Sequence, residues 1–256
     1  MPELPEVETF KNYGASKFLN RKIKRIDVDD ERVLLVPKRA LDQLKGKELR
    51  HFHRRGKYVF IETSEKDLYL ILHFGMTGYL KEYVEQKDRP SGTRVDFFME
   101  EGCMAFVNPR KFGRVGLTDD IEGFFRERRV GRDALSINEK EFVSKFEGKS
   151  GPIKSRLMDQ KNVAGIGNIY ADEILFQCEI HPETAADKME PEDLKKIFKT
   201  MRRVFRMAIK KKADYKEFPH NYLLYNRTLE RSNPKLKQIK VGGRTTFYSP
   251  ERQKKR

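Results

Sequence analysis

The hydrophobic period changes partway along this chain, and that change points to two parts, one built of strands and one of helices. Up to about Leu117 the apolar residues come in short runs: Ile23, Ile26 and Val28, then Val33 to Val36, Tyr58 to Ile61, Leu68 to Phe74, Val95 to Met99 and Met104 to Val107. Runs of this length, broken by Gly and charge, are strand signals. Glu100-Glu101-Gly102 reads as a hairpin turn between the last two, and a short helix pattern (Val7, Phe10, Phe18) precedes them all. From about Ser136 the period lengthens. Between Pro191 and Lys212, the residues Leu194, Ile197, Phe198, Met201, Val204, Phe205, Ala208 and Ile209 recur at helical spacing. Pro191 suits a first helical turn, and Lys210-Lys211-Lys212 suits the negative end of the helix dipole. The expected fold is α+β. A β-sandwich (or barrel) with a helix at its start occupies 1–117, a hinge 118–135 and a helical domain 136–228. A hairpin with a basic tail fills 229–256, with Gln238–Val241 and Thr245–Tyr248 flanking Gly242-Gly243.

Charge narrows the partners. Fifty-four Lys and Arg against 39 Asp and Glu leave +15. So basic a chain suits a polyanion, because each neutralised phosphate releases condensed counterions. A generally charge-rich surface is the plainer alternative. Cys103 and Cys178 stand far apart with no C-x-x-C spacing, so a reducing interior is expected and a disulfide framework is not. No apolar run approaches the ~20 residues of a membrane span, and no basic-then-apolar leader opens the chain. The expectation is a monomer of the bacterial cytoplasm, or of the nucleus if the source is eukaryotic.

Two segments carry chemistry on their own terms. The chain opens Met1-Pro2-Glu3-Leu4-Pro5-Glu6-Val7-Glu8. Initiator Met is normally removed ahead of Pro, which would expose the secondary amine of Pro2. An α-amino group titrates near neutrality, about 7.7–8.0 for ordinary residues, so it can act as a nucleophile. Glu3 and Glu6 supply carboxylates able to move protons nearby. On spacing alone, an ordinary helix start explains the same residues. The second segment runs from Lys154 to Gln160 and from Val163 to Glu173, where Gly165 and Gly167 permit tight turns and Asn168 opens a helix. Helix N-termini bind phosphate, although a helical hairpin with no ligand would look similar.

The opening octapeptide resembles the N-terminus of the formamidopyrimidine-DNA glycosylase/endonuclease VIII family, in its formamidopyrimidine-type form, and similar motifs follow in the family's order. Arg54-Arg55-Gly56-Lys57-Tyr58 resembles the segment that carries a catalytic lysine, here Lys57. His73-Phe74-Gly75-Met76-Thr77-Gly78 and Asn108-Pro109-Arg110-Lys111-Phe112-Gly113 resemble its two intercalating loops. The resemblance makes Met76, Arg110 and Phe112 the wedge that fills the stack left by a flipped nucleotide. It makes Arg94 a further DNA contact. Residues 154–173 are similar to the helix–two-turn–helix, with Lys154 and Asn168 on phosphate. Ile239 to Pro250 resembles the tip of the family's zinc finger, with Arg244 directed at the phosphates of the lesion.

The resemblance implies base-excision repair: a glycosylase with AP lyase activity that removes oxidised or ring-opened purines from duplex DNA. Pro2 would attack the sugar C1′, Glu3 and Glu6 would move protons, and β,δ-elimination would follow. Two departures stand out. The stretches that hold two C-x-x-C pairs in zinc-bearing members read Ser232-Asn233-Pro234-Lys235 and Ser249-Pro250-Glu251-Arg252 here. No metal and no other cofactor is therefore expected, and apolar contacts of Leu236, Ile239 and Phe247 must hold the hairpin. The stretch Ala213 to Arg227 is also short, which favours ring-opened or hydantoin purines over 8-oxoguanine. A catalytically silent DNA-binding protein and a basic RNA-binding protein are the competing classes. Neither has a use for an N-terminal amine.

Overall fold

Short strands separated by Gly and charge build the first half of the chain in the computed structural model, which describes residues 1–225 and 235–255. The order is α1 (Leu4–Phe18), β1 (Ile23–Val28), β2 (Leu49–Arg55), β3 (Tyr58–Thr63), β4 (Tyr69–His73), β5 (Tyr79–Tyr83), β6 (Thr93–Met99), β7 (Cys103–Val107), β8 (Arg114–Thr118) and α2 (Ile121–Glu127). Two four-stranded antiparallel sheets result, ordered β1-β6-β7-β5 and β2-β3-β4-β8. Val59, Ile61, Leu70, Leu72, Phe97, Phe106 and Val115 share one core with Val7 and Phe18 of α1. On the other face of β3, Tyr58 meets Phe124 of α2 edge-on and Phe60 packs at a tilt against Phe125. Cover on both faces explains the continuous apolar runs of β3 and β4. This is the sandwich expected from the sequence, and it does not close into a barrel.

The strands that the apolar pattern does not announce are β2, β5 and β8, and all three are sheet edges. An edge strand is free to carry charge, as Leu49-Arg50-His51-Phe52-His53-Arg54-Arg55 does. Val33 to Val36, expected as a strand, is a 3-10 turn at Glu31–Val33 followed by a single bridge from Leu34 to Val115. Asp30 caps that turn through the Arg32 amide, a local bond that competes with strand pairing.

The remainder follows as β9 (Arg132–Asp133), α3 (Glu139–Phe146), α4 (Ile153–Met158), β10 (Val163–Ala164), α5 (Asn168–Cys178), α6 (Pro191–Lys210), β11 (Lys237–Val241) and β12 (Arg244–Tyr248). The chain divides into two compact units: Met1–Pro2 with Glu6–Arg128, and Glu3–Pro5 with Arg129–Arg256. The division near Arg129 falls inside the stretch 118–135, much of which is α2. In the second unit, α6 buries the periodic set read from the sequence, except the half-buried Ile209, in a core with α3 and α5. It ends at Lys210 rather than Lys212 because Lys212 and Ala213 turn left-handed, with φ of 50° and 57°. Gly242 and Gly243, at φ 54° and 73°, close the β11–β12 hairpin with Val241 opposite Arg244, as a two-residue primed turn requires. Among the described residues, no helix is long and apolar enough to cross a membrane.

Candidate active site and nucleic-acid interface

In the second unit the start of the chain meets the start of α5. Glu3 is fully buried. One carboxylate oxygen accepts from the Ile169 amide at 2.7 Å, and the other accepts from Gly167 at 2.8 Å and Tyr170 at 3.1 Å. The donors left over at a helix N-terminus are thus occupied by a carboxylate, which suits the positive end of the dipole. From the sequence, phosphate is expected at these amides. Instead Glu3 takes them, and the residue after Pro2 is locked in place. Gly167 is demanded by space: a Cβ there would lie 2.3 Å from Glu3 Cδ. Gly165, at φ +112°, accepts from the Leu4 amide at 3.1 Å.

Lys154 also departs from expectation. It was expected on phosphate, but its side chain is fully buried, pairing with Asp172 at 2.7 Å and donating to Thr246 Oγ1 at 2.5 Å. Asp172 in turn accepts from the Phe247 amide at 3.1 Å. Asn168 Nδ2 donates to the Thr245 carbonyl at 3.0 Å. The turn carrying exposed Arg244 is therefore fixed through its neighbours, from both α4 and α5. Farther along, Gln253 is buried, accepts from the Ser249 amide and donates to the Ile180 carbonyl, each at 2.9 Å. Tyr248 packs edge-on against His181. Leu236, Ile239 and Phe247 are only half buried, whereas Val241, Thr246, Ser249 and Gln253 are buried. The hairpin is held mainly by polar bonds, which correct the apolar grip expected. Of the stretch that holds the first C-x-x-C pair in zinc-bearing members, Ser232, Asn233 and Pro234 lie outside the described residues.

In the first unit, Lys57 occupies the tight turn between β2 and β3, beside Gly56 at φ +57°. Arg54 fixes that turn. Its side chain donates to Glu8 of α1 at 2.6 Å and to the Gly56 carbonyl at 3.1 Å. Burial pushes the Glu8 carboxyl up, but Lys11 and Arg54 outweigh it and hold the group below its ordinary value. His73, at the end of β4, packs on Tyr58 with ring centroids 4.7 Å apart. Burial first, then the charges of Lys57 and Arg114, push its imidazole down to about 4. Its Nδ1 accepts from the Gly75 amide at 3.3 Å.

The two loops expected to enter the base stack are tied together by Asn108. This fully buried side chain donates to the Phe74 carbonyl at 2.9 Å and accepts from the Gly113 amide at 2.9 Å. One amide thereby links the loop of Met76 to the loop of Arg110 and Phe112. A Cβ on Gly75 would fall 2.4 Å from the Phe112 backbone, so the loops touch through a glycine. Phe112 is 52 % exposed, an unusual state for a large apolar ring, and Arg110 lies over it. Met76 is half buried. Arg94, expected on DNA, spends its guanidinium on the carbonyls of Asn108 and Pro109, both at 3.2 Å, and so braces the loop. Lys111, at φ +59°, pairs with Asp30 at 2.8 Å. The sequence reading missed Arg54, Asn108, Asp172 and Thr246. Each is a plain polar residue whose part depends on a partner distant in sequence.

Residues 1–115 match the formamidopyrimidine-DNA glycosylase N-terminal domain, and residues 130–219 match the helix–two-turn–helix domain of the same enzymes. A formamidopyrimidine-DNA glycosylase of Pelotomaculum thermopropionicum is 32 % identical, over 99 % of each chain. The chain belongs to the formamidopyrimidine-DNA glycosylase family. A relative from Arabidopsis thaliana is 31 % identical over 99 % of this chain and 71 % of its own. Among solved structures, the Lactococcus lactis enzyme bound to abasic-site DNA superposes with a TM-score of 0.88 at 28 % identity, covering 99 % of this chain and 100 % of that one. A mutant of the L. lactis enzyme bound to formamidopyrimidine-containing DNA matches equally well, at 0.88 and 28 %.

Glu173, next to Asp172, makes pH a probe of the second unit. It accepts from Gln177 and from the Leu224 amide. Burial raises its carboxyl to about 7, and the Asp172 charge adds to the rise. The unfolded carboxyl loses its proton near 4.5, whereas the folded one keeps its proton until about 7. The folded state therefore binds more protons in that window, and this group's contribution to stability falls as pH rises through it. The difference is on the order of 2–3 kcal/mol. Glu173→Gln should remove that slope. Urea unfolding at pH 5 and pH 8 checks this, and an unchanged difference between the two would refute it.

Proposed function

We propose that this chain excises damaged bases from duplex DNA and cleaves the resulting abasic site, using the amine of Pro2 once Met1 is removed. The observation that carries this reading is the buried Glu3 carboxylate, directly beside Pro2 in sequence and held by the amides of Gly167, Ile169 and Tyr170 at the start of α5. Anchoring of this kind holds a nucleophile within reach of a sugar, and orientation is a large part of catalysis. The Pro2 nitrogen forms a bond to C1′ as the C1′–base bond breaks, and the base leaves with the proton shed by the nitrogen. The C1′–O4′ bond then breaks as O4′ takes a proton from a neighbouring carboxyl, which opens the sugar ring. The product is an iminium with no N–H to lose, so its charge persists as an electron sink. Loss of a C2′ proton then expels the 3′ phosphate, and δ-elimination releases the 5′ phosphate. Glu3 and Glu6 serve proton transfer at the sugar. Lys57 and Arg244 hold phosphates, Asn168 adds a further contact, and Met76, Arg110 and Phe112 fill the vacated stack.

The competing classes predict no covalent intermediate. Borohydride added to protein and lesion duplex should trap a protein–DNA adduct, provided that mass analysis shows Pro2 at the N-terminus. Pro2→Gly should keep DNA binding and lose most of the adduct. Protein that still begins with Met1 should give none, since its Pro2 nitrogen is an amide. Absence of an adduct from processed wild-type protein would defeat the proposal. In the same panel, formamidopyrimidine opposite cytosine should be excised faster than 8-oxoguanine, as the short 213–227 stretch suggests. Equal rates would discard that preference.

A further inference from the structure

The helix α6 has a face that the chemistry above does not use. Its apolar set (Leu194, Ile197, Phe198, Met201, Val204, Phe205, Ala208) is buried in the second unit's core. Diametrically opposite, at three- and four-residue steps, stand Lys196, Lys199, Arg203, Arg206 and Lys210, all exposed. At 3.6 residues per turn these steps keep the five on one line about 21 Å long. Ordinary solvated helices alternate the sign of charge along such a face. Here the helix's two acids, Glu192 and Asp193, lie in its first turn. None of the five cations forms an ion pair or hydrogen bond among the described residues, while the flanking Lys195 pairs with Glu192 and Arg202 donates to the Ile137 carbonyl. Like charges at i and i+4 destabilise a helix, so the row works against its own helix unless an anion covers it.

We infer that this row is a second, sequence-independent binding site for duplex DNA, separate from the residues that process the lesion. Duplex DNA presents about one negative charge per 1.7 Å of axis, a density that a straight row of cations fits. A membrane surface fits poorly, because the apolar face of α6 is already buried and nothing remains to insert. Within its own unit, the row lies on the side of α6 opposite the apolar face that is buried in the core shared with α5. A second stretch of duplex held there would let the protein pass from one DNA segment to another. The choice of DNA rests on the glycosylase reading above.

The test uses the full-length, processed protein trapped on a short lesion duplex, so that the lesion site is covalently filled. At about 50 mM salt the trapped wild type should bind a second, undamaged duplex, and Lys199→Gln/Arg203→Gln/Arg206→Gln should bind it at least 10-fold more weakly. Its slope of log affinity against log salt should fall by about 2–3, near 0.9 per lost phosphate contact. Single-turnover excision from a short duplex should stay unchanged, as should the helical circular dichroism, because Gln and Lys have similar helix propensity. Failure of the trapped wild type to bind, or equal binding by the triple variant, would overturn the inference. Tighter binding of single-stranded RNA or polyglutamate than of duplex would overturn it as well. If no adduct forms, the glycosylase reading alone is struck. The salt slopes of the untrapped wild type and variant then decide the second site.

Discussion

Lys154→Met should cost about 3–5 kcal/mol of unfolding free energy, because it leaves the carboxylate of Asp172 buried without its partner. Both side chains of the pair are fully buried. The same change withdraws the donor to Thr246 Oγ1 and loosens the turn that presents Arg244. Single-turnover lyase activity should therefore fall by at least 10-fold even where the protein remains folded. Lys154→Met/Asp172→Leu separates the two effects. Replacing a buried pair with apolar side chains of similar size is often neutral for stability, so the double variant should recover most of the unfolding free energy. It should not recover the activity, since the Phe247 amide loses its Asp172 acceptor and the Thr246 hydroxyl loses its Lys154 donor. If Lys154 were instead a phosphate ligand, the single variant would keep its stability and its salt slope would drop by about 0.9. Urea melts and salt titrations of both variants distinguish these outcomes.

Gly167→Ala should remove excision and strand cleavage together, by roughly 100-fold or more, with a much smaller loss of DNA affinity. The backbone of Gly167 is extended, at φ −126° and ψ −163°, which alanine adopts without strain. What alanine lacks is room, with Glu3 Cδ at 2.3 Å and Glu3 Oε1 at 2.5 Å from its Cβ. The neighbour that must move is thus the side chain of Glu3, the residue joined directly to Pro2. Overpacking of this kind costs about 1–3 kcal/mol, which a stable domain survives. A displacement of about 1 Å at reacting groups costs on the order of 100-fold in rate. Single-turnover rates and fluorescence anisotropy on the same lesion duplex check the split. Full activity in the folded variant would show that Glu3 need not sit where α5 holds it.

These two residues mark the limits of reading the chain alone. Gly167 was legible as a site of close approach, but the atom it makes way for, in Glu3, lies 164 positions earlier. Lys154 was legible as a cation beside a helical hairpin. Its burial depended on Asp172 and on the hairpin at the far end of the chain. Asn108 shows the same limit. A buried amide that joins two loops has no periodic signal, since its partners are the Phe74 carbonyl and the Gly113 amide. The edge strands β2, β5 and β8 have no apolar run to announce them, since each buries only one or two apolar side chains (Leu49; Leu80 and Tyr83; Val115) and is defined mainly by ladder bonds to its neighbour.

The sequence by itself determined the α+β architecture, the course of α6, the two-glycine hairpin and the order of the motifs. Each depends on the period of apolar residues or on backbone freedom, which are local properties. Only the tertiary structure decided that the amides of α5 hold Glu3, that Lys154 is a buried strut, and that polar bonds anchor the terminal hairpin. It also decided that five cations of α6 form no ion pair among the described residues. A polar side chain takes its role from the atom it meets, and here that atom usually belongs to a segment far away along the chain.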